Sequence, residues 1–491
     1  MKHQTIYIII LGWIFPLVGL AQNDTIAKRF KKEFNLFNQS IQQKHQWFLE
    51  KNDSIFSRFL QDSWASFDIM YKGKPAESKP VIQPKIEQPA NIPVVPQSEE
   101  IPSETLKKND VSKPIEPEMK PAKKELPESV DSGGTASLSV DFYGNESKLA
   151  YPTGIPQMER ISAESISDYF NLTSNSPSVS RLVLELHSLK EKLRLNDWGY
   201  YELVRNCAGQ LESDANSKTL LVWVILIKSG FNAKAGFSGN KVFLLLPFQE
   251  ELFNNYFISI NGQDFYIPSG NVKEEEIQKL TVYKADYPGN SLFSLLIAQL
   301  PDLGTQSISR ELIFRGSKLT VTQSERLINF YKDYPMCEMK VCFSSPLSEM
   351  VLSSLQNYFK PLFTGLSDKE KVAILLEFTQ KAFPYQSDKD QFGREKYFFP
   401  DELFFYPFSD CEDRAVLFTK LVKHFTRLNC IALDYPGHVN TAVNFREETK
   451  GTFIIVKEMK YIVCDPTYIN APIGYLPDEF KGITPKVITF D

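Results

Sequence analysis

A cysteine, a histidine and an aspartate near the C-terminal end of the chain are of the types that form a nucleophile–base–acid relay. Cys411 directly precedes an apolar stripe of helical period, His438 begins an alternating apolar run, and Asp465 ends a short apolar run at a proline. In such a relay the histidine takes the thiol proton, and the carboxylate holds the histidine in the required tautomer. The three residues therefore predict a nucleophilic thiol.

The surroundings of Cys411 predict that the thiol needs this base. Ser409 and Glu412 match a capping box, which predicts Ser409 as the N-cap and Cys411 as the second helical residue. The positive end of a helix dipole favours a thiolate. Asp410, Glu412 and Asp413 oppose that effect, so the helix alone would not activate the sulfur.

His438 is the best candidate for the base among the five histidines of the chain. His3 belongs to a predicted signal peptide, and His45 and His187 fit surface or packed positions on predicted helices. His424 lies on the same predicted helix as the nucleophile, thirteen residues later, which rotates it away from the sulfur. His438 follows a Tyr-Pro-Gly turn signal and begins a predicted strand, so its ring can project from the end of a sheet.

Asp465 is predicted at the tip of a short strand, because Pro466 stops the apolar run that begins at Tyr461. From there its carboxylate could accept the second N–H of the histidine ring. The order of the strands does not follow from sequence alone. Contact between His438 and Asp465 is therefore an expectation for the structure.

Three short motifs carry a resemblance to a known family. They are Asp410-Cys411-Glu412-Asp413, Gly437-His438 and Asp465-Pro466. Together they resemble the transglutaminase-like superfamily, over roughly the residues 366–491. The resemblance implies an α+β fold, shared in outline with papain-like proteases, in which the nucleophile helix packs on an antiparallel sheet. It also implies that Cys411, His438 and Asp465 act as a catalytic triad on amide bonds through a thioester, and no cofactor is expected.

The run from Leu375 to Tyr385 resembles the helix before the nucleophile in bacterial members of this superfamily. It makes Gln380 a candidate oxyanion donor, because a side-chain amide can stabilise the developing negative charge. An ordinary glutamine on a helix surface is the alternative. A nearby run imitates half of a calcium loop but has Phe392 and Phe399 at ligand positions, so no metal site is expected.

The length and composition of the chain predict several domains behind an export signal. The chain has 491 residues, of which 42% are apolar, and a net charge of −5. Residues 1–21 combine a basic start, an apolar run and a small final residue, which predicts a cleaved signal peptide, with an uncleaved anchor as the alternative. The expected location is periplasmic or extracellular, with no further membrane span. The near balance of charges gives no reason to expect a nucleic-acid partner.

Two segments of contrasting composition follow the signal. Residues 22–72 contain apolar residues at seven-residue spacing, among them Phe48 and Ile55, with Phe59 close to the same face, which predicts an amphipathic helical segment. This segment would pack either on the rest of the protein or on a partner, such as an envelope protein. Residues 73–135 hold eleven of the thirty prolines and no aromatic residue, so a disordered linker is predicted.

The remaining sequence is predicted to form three units. Residues 136–304 are expected to be an α+β domain, residues 305–365 a small β-rich module, and residues 366–491 the transglutaminase-like catalytic domain. Residues 136–304 could be a degenerate copy of the catalytic domain, in which Ser217 and Asn240 replace the cysteine and the histidine. Coincidence between two α+β segments is the alternative.

The expected function is that of an exported thiol enzyme with a protein or peptide substrate. Hydrolysis, by a peptidase or amidase, is favoured over amine transfer, because most bacterial members of the superfamily are hydrolytic. The alternative is a non-catalytic binding or assembly module of the cell envelope that keeps the fold. The six cysteines permit disulfides in an exported protein, but their spacing requires none.

Overall fold

The structure is a computed structural model that describes residues 51–74, 79–86, 98–102, 136–151, 156–158, 160–268 and 279–490. The predicted signal peptide, most of the predicted N-terminal helix and most of the predicted linker lie outside these residues. The described architecture is mixed α+β, and every ladder between its strands is antiparallel. The α+β class predicted from the sequence is confirmed.

The first unit packs helices on an antiparallel sheet. Its elements in chain order are α1 (residues 51–62), β1 (Trp64–Asp68), β2 (Met70–Lys72), β3 (Ala136–Phe142), β4 (Asn145–Tyr151), α2 (Ala163–Ser174), α3 (Pro177–Lys192), α4 (Asp197–Leu211), α5 (Ala215–Lys228), β5 (Lys234–Ser238), β6 (Lys241–Leu245), β7 (Asn255–Ile260), β8 (Gln263–Tyr266) and β9 (Lys279–Tyr283). Helix α5 is buried on all sides from Leu220 to Ile227, because it lies between the sheet and helices α2, α3 and α4.

Strands β1 and β2 close the sheet of the first unit on itself. Strands β9, β5 and β6 pair in that order, and β7 pairs with β8. An isolated bridge with two backbone hydrogen bonds between Leu246 and Tyr266 joins β8 to the end of β6, which gives the order β7–β8–β6–β5–β9. Strands β3 and β4 form a separate hairpin. Strand β1 pairs with β9, and β2 pairs with β7. One stretch of chain therefore joins the two outer strands, and its residues Phe67 and Ile69 pack on the apolar interior.

The described part of the N-terminal helix packs on the rest of the protein. Phe56 and Leu60 of α1 are fully buried, and the ring of Phe56 lies 5.4 Å from that of Tyr283. The buried face differs from the predicted one, since Phe59 is 44% exposed. The predicted helical segment is also wrong beyond residue 62, because the next residues form the two strands that close the sheet.

The chain between the two units begins with a hairpin and continues in helices. Its elements are β10 (Ser307–Phe314), β11 (Ser317–Ser324), α6 (Glu325–Lys332), α7 (Met339–Ser344) and α8 (Glu349–Leu362). The predicted β-rich character therefore holds for the hairpin and fails for the three helices. In this module the short apolar run Met339–Phe343 forms a buried helix instead of a strand, and Val341 and Phe343 lie in the core.

The C-terminal unit places one helix on a five-stranded sheet. Its elements are α9 (Asp368–Lys381), α10 (Asp388–Phe392), α11 (Cys411–Thr426), β12 (Asn429–Tyr435), β13 (His438–Asn444), β14 (Phe453–Val456), β15 (Met459–Cys464) and β16 (Lys486–Ile488). Helix α11 packs on β12 and β13 and, on its other side, on α9. Leu417 and Leu421 of this helix share a buried core with Val443 of the sheet.

The two units share one topology. In each, a buried helix (α5 or α11) is followed by a first hairpin (β5–β6 or β12–β13), a second hairpin (β7–β8 or β14–β15) and a last strand (β9 or β16). The sheet order is β7–β8–β6–β5–β9 in the first unit and β14–β15–β13–β12–β16 in the second. The same succession of helix and strands thus occurs twice among the described residues.

Two pieces of the predicted linker pack on the C-terminal unit. Residues 98–102 run beside β14, where the N–H of Ile101 donates to the carbonyl of Phe453 at 2.7 Å and the Ile101 side chain is buried. Residues 79–86 lie beside the start of α11. The prediction of disorder is wrong for these two pieces, because backbone pairing and a few buried side chains anchor them without a core of their own.

Candidate active site

His438 and Asp465 form a hydrogen-bonded pair at one end of the C-terminal sheet. Pro436 and Gly437 form the turn before β13, and Gly437 has a φ of 74°, which this turn position requires. His438 is thus the first residue of β13, and its Nε2 lies 2.8 Å from Asp465 Oδ2. The structure brings together the two residues whose contact was an expectation.

Asp465 is held by four hydrogen bonds. Its Oδ2 also accepts from Asn440 Nδ2 at 3.0 Å, and its Oδ1 accepts from the backbone N–H groups of Thr467 and Tyr468 at 2.9 and 3.2 Å. The carboxylate is therefore fixed in orientation. Asn440 was not among the predicted site residues, although its place two residues after His438 puts it on the same face of the strand.

Cys411 is the first residue of α11, and Asp410 is the N-cap. The backbone N–H of Asp410 donates to Asp413 Oδ2 at 3.2 Å. The predicted helix start was therefore one residue too early, because aspartate caps a helix as well as serine does. Ser409, the predicted cap, accepts instead from the side chain of Arg414 at 3.2 Å.

The buried sulfur of Cys411 faces Glu412 rather than His438. Sγ donates to Glu412 Oε2 at 3.1 Å, and the N–H of Val439, the residue after His438, also points to the sulfur. No hydrogen bond joins Cys411 to His438 among the described residues, and His438 Nδ1 is buried with no hydrogen-bond partner among them. One ring nitrogen is thus bound to Asp465, and the other is open to a thiol proton.

The thiol is protonated in this arrangement. Burial, followed by the charges of Glu412 and Asp410, raises the pKa of Cys411 well above its ordinary range. The Lys79 ammonium and the Val439 N–H act in the opposite direction but do not outweigh these effects. The helix start therefore does not activate the sulfur on its own.

Four carboxylates beside Cys411 surround the ammonium group of Lys79. Its Nζ lies 3.0 Å from both Glu395 Oε2 and Asp410 Oδ2, contacts Glu412 Oε1, and is 4.0 Å from Asp388 Oδ2. Burial disfavours the charged amine, but the charges of Glu412 and Asp410 raise the pKa of Lys79 far above its usual value. Lys79 is therefore a buried cation, with a side chain that is 6% exposed.

The carboxylates respond to this cation in different ways. Burial favours the neutral form of Glu412, but the adjacent Lys79 lowers its pKa to about 2. Burial and then the charge of Glu412 raise the pKa of Asp388 to about 8, so this acid is largely protonated near neutral pH. Asp388 begins the short helix α10, so the run that imitates a calcium loop does not fold as one.

The acidic side chains are also close enough together to share a metal ion. Asp388, Glu395 and Glu412 form one such group and Asp388, Asp410 and Asp413 another, each with ligand atoms within 4.8 Å of one another. A Lys79 ammonium contacts members of both groups. In this structure an ammonium group supplies the positive charge that these acids require.

Gln380 holds a loop and does not face the sulfur. Its Nε2 donates to the carbonyl oxygens of Asp465 at 2.8 Å and Ala471 at 3.0 Å, and its Oε1 accepts from the N–H of Asn470 at 3.2 Å. Both amide hydrogens are used, so the predicted role as an oxyanion donor is not supported. The alternative of a surface glutamine is also wrong, because the side chain is buried.

Arg414 is a buried residue that the sequence analysis missed. Its Nη1 donates to the carbonyl of Gln380 at 3.2 Å and its Nη2 to that of Phe383 at 2.7 Å, while Nε donates to Ser409 Oγ. These bonds tie the end of α9 to the first turn of α11. Burial lowers the pKa of Arg414 to about 10. Arginine in a helical first turn is usually solvated, so its type and position gave no signal.

The first unit has other residues at the positions that correspond to the cysteine and the histidine. Helices α5 and α11 both begin directly after an aspartate N-cap, which sets Ala215 against Cys411. Strands β6 and β13 both follow a two-residue turn, which sets Lys241 against His438. The first unit therefore lacks both a thiol and an imidazole at these positions.

The predicted replacements in the first unit, Ser217 and Asn240, are shifted from these positions. Ser217 lies in the first turn of α5, where its N–H donates to the N-cap carboxylate of Asp214 at 2.7 Å. Asn240 lies in the turn before β6. The alignment of the two units depends on the residue at which the helix begins and on the position of the turn between the strands. The apolar pattern fixes neither, so the predicted residues were displaced by one or two positions.

A cavity of about 560 Å³ lies at this place in the first unit. Ala215 and Lys241 line it, together with Asn216 and Val242. By the same alignment, these four positions correspond to Cys411, His438 and their next neighbours. The place between the start of the helix and the start of the second strand is thus an open cavity in the first unit. At the same place in the C-terminal unit, Cys411 is fully buried.

No family model, curated protein or solved structure matches this chain. Within its described part, none of the helices is both long and apolar enough to cross a lipid bilayer. The six cysteines all lie among the described residues, where they are buried and form no disulfide.

Proposed function

We propose that the C-terminal unit is a transglutaminase-like thiol enzyme that hydrolyses amide bonds in peptides or proteins. The observation that carries the proposal is the His438–Asp465 pair beside a helix that begins with Cys411. The N–H of Val439 points to the sulfur, so the thiol lies at the end of β13 where His438 stands. His438 Nδ1 is the ring nitrogen left for the thiol proton.

The reaction begins when the Cys411 side chain turns from Glu412 and gives its proton to His438 Nδ1. Asp465 stabilises the resulting imidazolium, and the thiolate attacks the carbonyl carbon of the amide. The C–N bond then breaks as His438 returns the proton to the leaving nitrogen, which leaves a thioester. Water, deprotonated by His438, attacks the thioester; the acid departs and the thiol is restored.

The test is cleavage of a peptide library by the purified protein, with Cys411→Ala and His438→Ala as controls. Loss of turnover in Cys411→Ala, and a loss of about a thousandfold in His438→Ala, would support the proposal. Full turnover in Cys411→Ala would exclude it. A primary amine is added in a second arm, where its incorporation into the peptide would indicate transfer instead of hydrolysis.

The second candidate function is a non-catalytic binding or assembly module of the cell envelope. The observation that favours it is the neutral thiol, bound to Glu412 and not to His438. A module of this kind should react slowly with iodoacetamide, and the rate should be the same in His438→Ala at every pH from about 6 to 9. An enzyme should lose thiol reactivity when the imidazole is removed.

The proposal includes export, on the basis of residues 1–21 alone. Expression of the full chain with N-terminal sequencing of the product tests this part. A mature chain that begins at Gln22 is expected outside the cytoplasm. The first unit, which shares the topology and has Ala215 where the thiol would be, is proposed as an inactive copy of the catalytic unit.

A further inference from the structure

Residues 79–86 contact the protein on two sides of the candidate active site and are anchored at both ends. Lys79 enters the acidic group beside Cys411. At the other end, the carbonyl of Pro84 accepts from the N–H of Ile469 at 2.9 Å, and the N–H of Ile86 donates to the Ile469 carbonyl at 3.0 Å. Ile469 follows Asp465 by four residues, so the segment joins the two sides of the site.

The middle of the segment is held by one side chain. Gln83 Nε2 donates to the carbonyl of Gln380 at 2.8 Å and to that of Thr467 at 2.7 Å. Thr467 lies in the loop that follows the orienting carboxylate of Asp465, and Gln380 lies in the last turn of α9, the helix that packs on the nucleophile helix. An extended segment that pairs its backbone with the protein and places alternate side chains in pockets is a common mode of peptide recognition.

The acidic pocket is built to receive a cation. The side chains of Asp410 and Glu412 are at most 2% exposed, and Asp410 Oδ1 has no hydrogen-bond partner among the described residues. Buried carboxylates are costly unless a positive charge is present. Lys79 supplies that charge from a distant part of the chain, and its ammonium is the ligand that the structure shows in the pocket.

The rest of the segment is weakly held. Val81 and Ile82 are 77% and 82% exposed, so their side chains gain little from burial. The surrounding sequence is rich in proline and has no aromatic residue to build a core. The segment is thus attached by Lys79, Gln83 and its end at Ile86, which pairs with Ile469, accepts from Asn470 Nδ2 at 3.3 Å and packs on the C-terminal core. A competing peptide could displace this arrangement.

We propose that the cleft beside Cys411 is a peptide-binding site with a subsite for a lysine side chain, formed by Asp388, Glu395, Asp410 and Glu412, and that residues 79–86 occupy it as an inhibitory segment. The inference rests on the proposed function, because it treats Cys411 as the nucleophile that the segment covers. The first unit gives an internal comparison: the corresponding place there is a cavity of about 560 Å³. The substrate class that fits the subsite is a peptide with a lysine residue near the bond that reacts.

Lys79→Met in the full chain tests the inhibitory role, because it removes the ammonium and keeps a stem of similar length. We expect iodoacetamide to label Cys411 at least about tenfold faster than in the unchanged protein, and residues 79–86 to lose protection from hydrogen exchange. Lys85→Met is the matched control, since Lys85 lies in the same segment with an exposed side chain, and its labelling rate should not change.

The direction of the change separates two roles of Lys79. Its charge favours the Cys411 thiolate, so a residue that acted only as a counter-ion would make labelling slower when removed. Unchanged or slower labelling therefore overturns the inhibitory role. Gln83→Ala gives a second test that leaves all charges in place, and we expect it also to accelerate labelling, by a smaller factor.

Binding of a separate peptide tests the lysine subsite without any catalysis. A fluorescent peptide with the sequence of residues 79–86 is titrated into the Lys79→Met/Cys411→Ala protein. We expect it to bind, and to bind at least about tenfold more weakly when norleucine replaces its first lysine. Norleucine in place of its second lysine should have little effect, because that side chain is exposed.

Two results would overturn the lysine subsite. One is equal binding of the two norleucine peptides, which would show that the acidic pocket does not select for the ammonium group of the first lysine. The other is binding of calcium to the doubly substituted protein with no binding of the peptide, which would assign the carboxylates to a metal. The binding experiment uses a protein without the thiol, so it is independent of catalysis. Absence of peptide binding would not contradict the proposed hydrolysis, and absence of hydrolysis would not contradict peptide binding.

Discussion

The imidazole of His438 lies nearly parallel to the ring of Phe480, with centroids 5.0 Å apart and an interplanar angle of 18°. Tyr468 meets the same imidazole edge-on at 5.5 Å. The ring is therefore fixed by two aromatic neighbours as well as by Asp465. Stacking of this kind contributes about 0.5–1.5 kcal/mol and limits rotation of the imidazole.

Phe480→Leu should lower reactivity without unfolding the protein. Leucine keeps most of the apolar volume but removes the stacked ring, so His438 would occupy its working orientation for less of the time. We expect the rate of Cys411 alkylation, measured in the Lys79→Met background, to fall by about threefold to tenfold, with a loss of about 1 kcal/mol in stability. A rate equal to that of the parent would show that Asp465 alone positions the imidazole.

Asn440→Ala should weaken the relay through Asp465. The substitution removes one of the two side-chain donors to Oδ2, so the carboxylate that orients His438 becomes freer. We expect peptide turnover to fall by about tenfold, with KM little changed and a stability loss of about 1 kcal/mol. Asn444→Ala, at the far end of the same strand, is the control and should retain parental turnover.

Asp388→Asn should change how stability depends on pH. The folded protein raises the pKa of Asp388 to about 8, whereas an unfolded chain has a value of about 4. Between these values the folded state holds a proton that the unfolded state has released, so stability falls as the pH rises from about 4 to 8. Asparagine removes this dependence and keeps an acceptor for the N–H of Lys396.

Urea unfolding at several pH values measures the effect. The variant should gain stability relative to the parent as the pH rises from 4 to 8, by up to about 5 kcal/mol for a shift of about four pKa units. Asp390→Asn, at an exposed aspartate of the same short helix, should show no such gain. A parallel response of the two variants would contradict the raised pKa of Asp388.

Arg414→Lys should destabilise the start of α11. A lysine ammonium cannot reach all three acceptors of the planar guanidinium, so buried carbonyl groups would lose donors. We expect a loss of about 2–3 kcal/mol in the free energy of unfolding, measured by denaturant titration. Arg446→Lys, in an exposed ion pair with Asp368, should cost less than about 0.5 kcal/mol.

Local pattern was sufficient to predict much of the fold. The apolar stripe after Cys411 and the alternating run after His438 predicted a helix and a strand that the structure confirms, and the turn before His438 fixed the start of β13. These features depend on neighbours in sequence. The β-rich prediction for residues 305–365 failed in part, because a short apolar run such as Met339–Phe343 does not distinguish a strand from a buried helix.

The polar network of the site was harder to predict. Lys79, Arg414 and Asn440 owe their roles to partners that are distant in sequence or on another element, and no periodic signal marks them. Gln380 shows the converse, since a family resemblance suggested a role that its hydrogen bonds do not support. Cys411, His438 and Asp465 could be identified from the sequence, because a thiol, an imidazole and a carboxylate together form a known type of relay.

The described residues between positions 51 and 102 contribute to both units in turn. Their first strands complete the sheet of the first unit, and their later pieces attach to the second before the chain returns to build the rest of the first. The boundary between the units is therefore not a single point in the sequence. A fragment that begins at residue 366 would keep the buried acids beside Cys411 and lose the ammonium of Lys79 that neutralises them. Shortened versions of this protein therefore need residues 79–86, either joined to the fragment or supplied as a separate peptide.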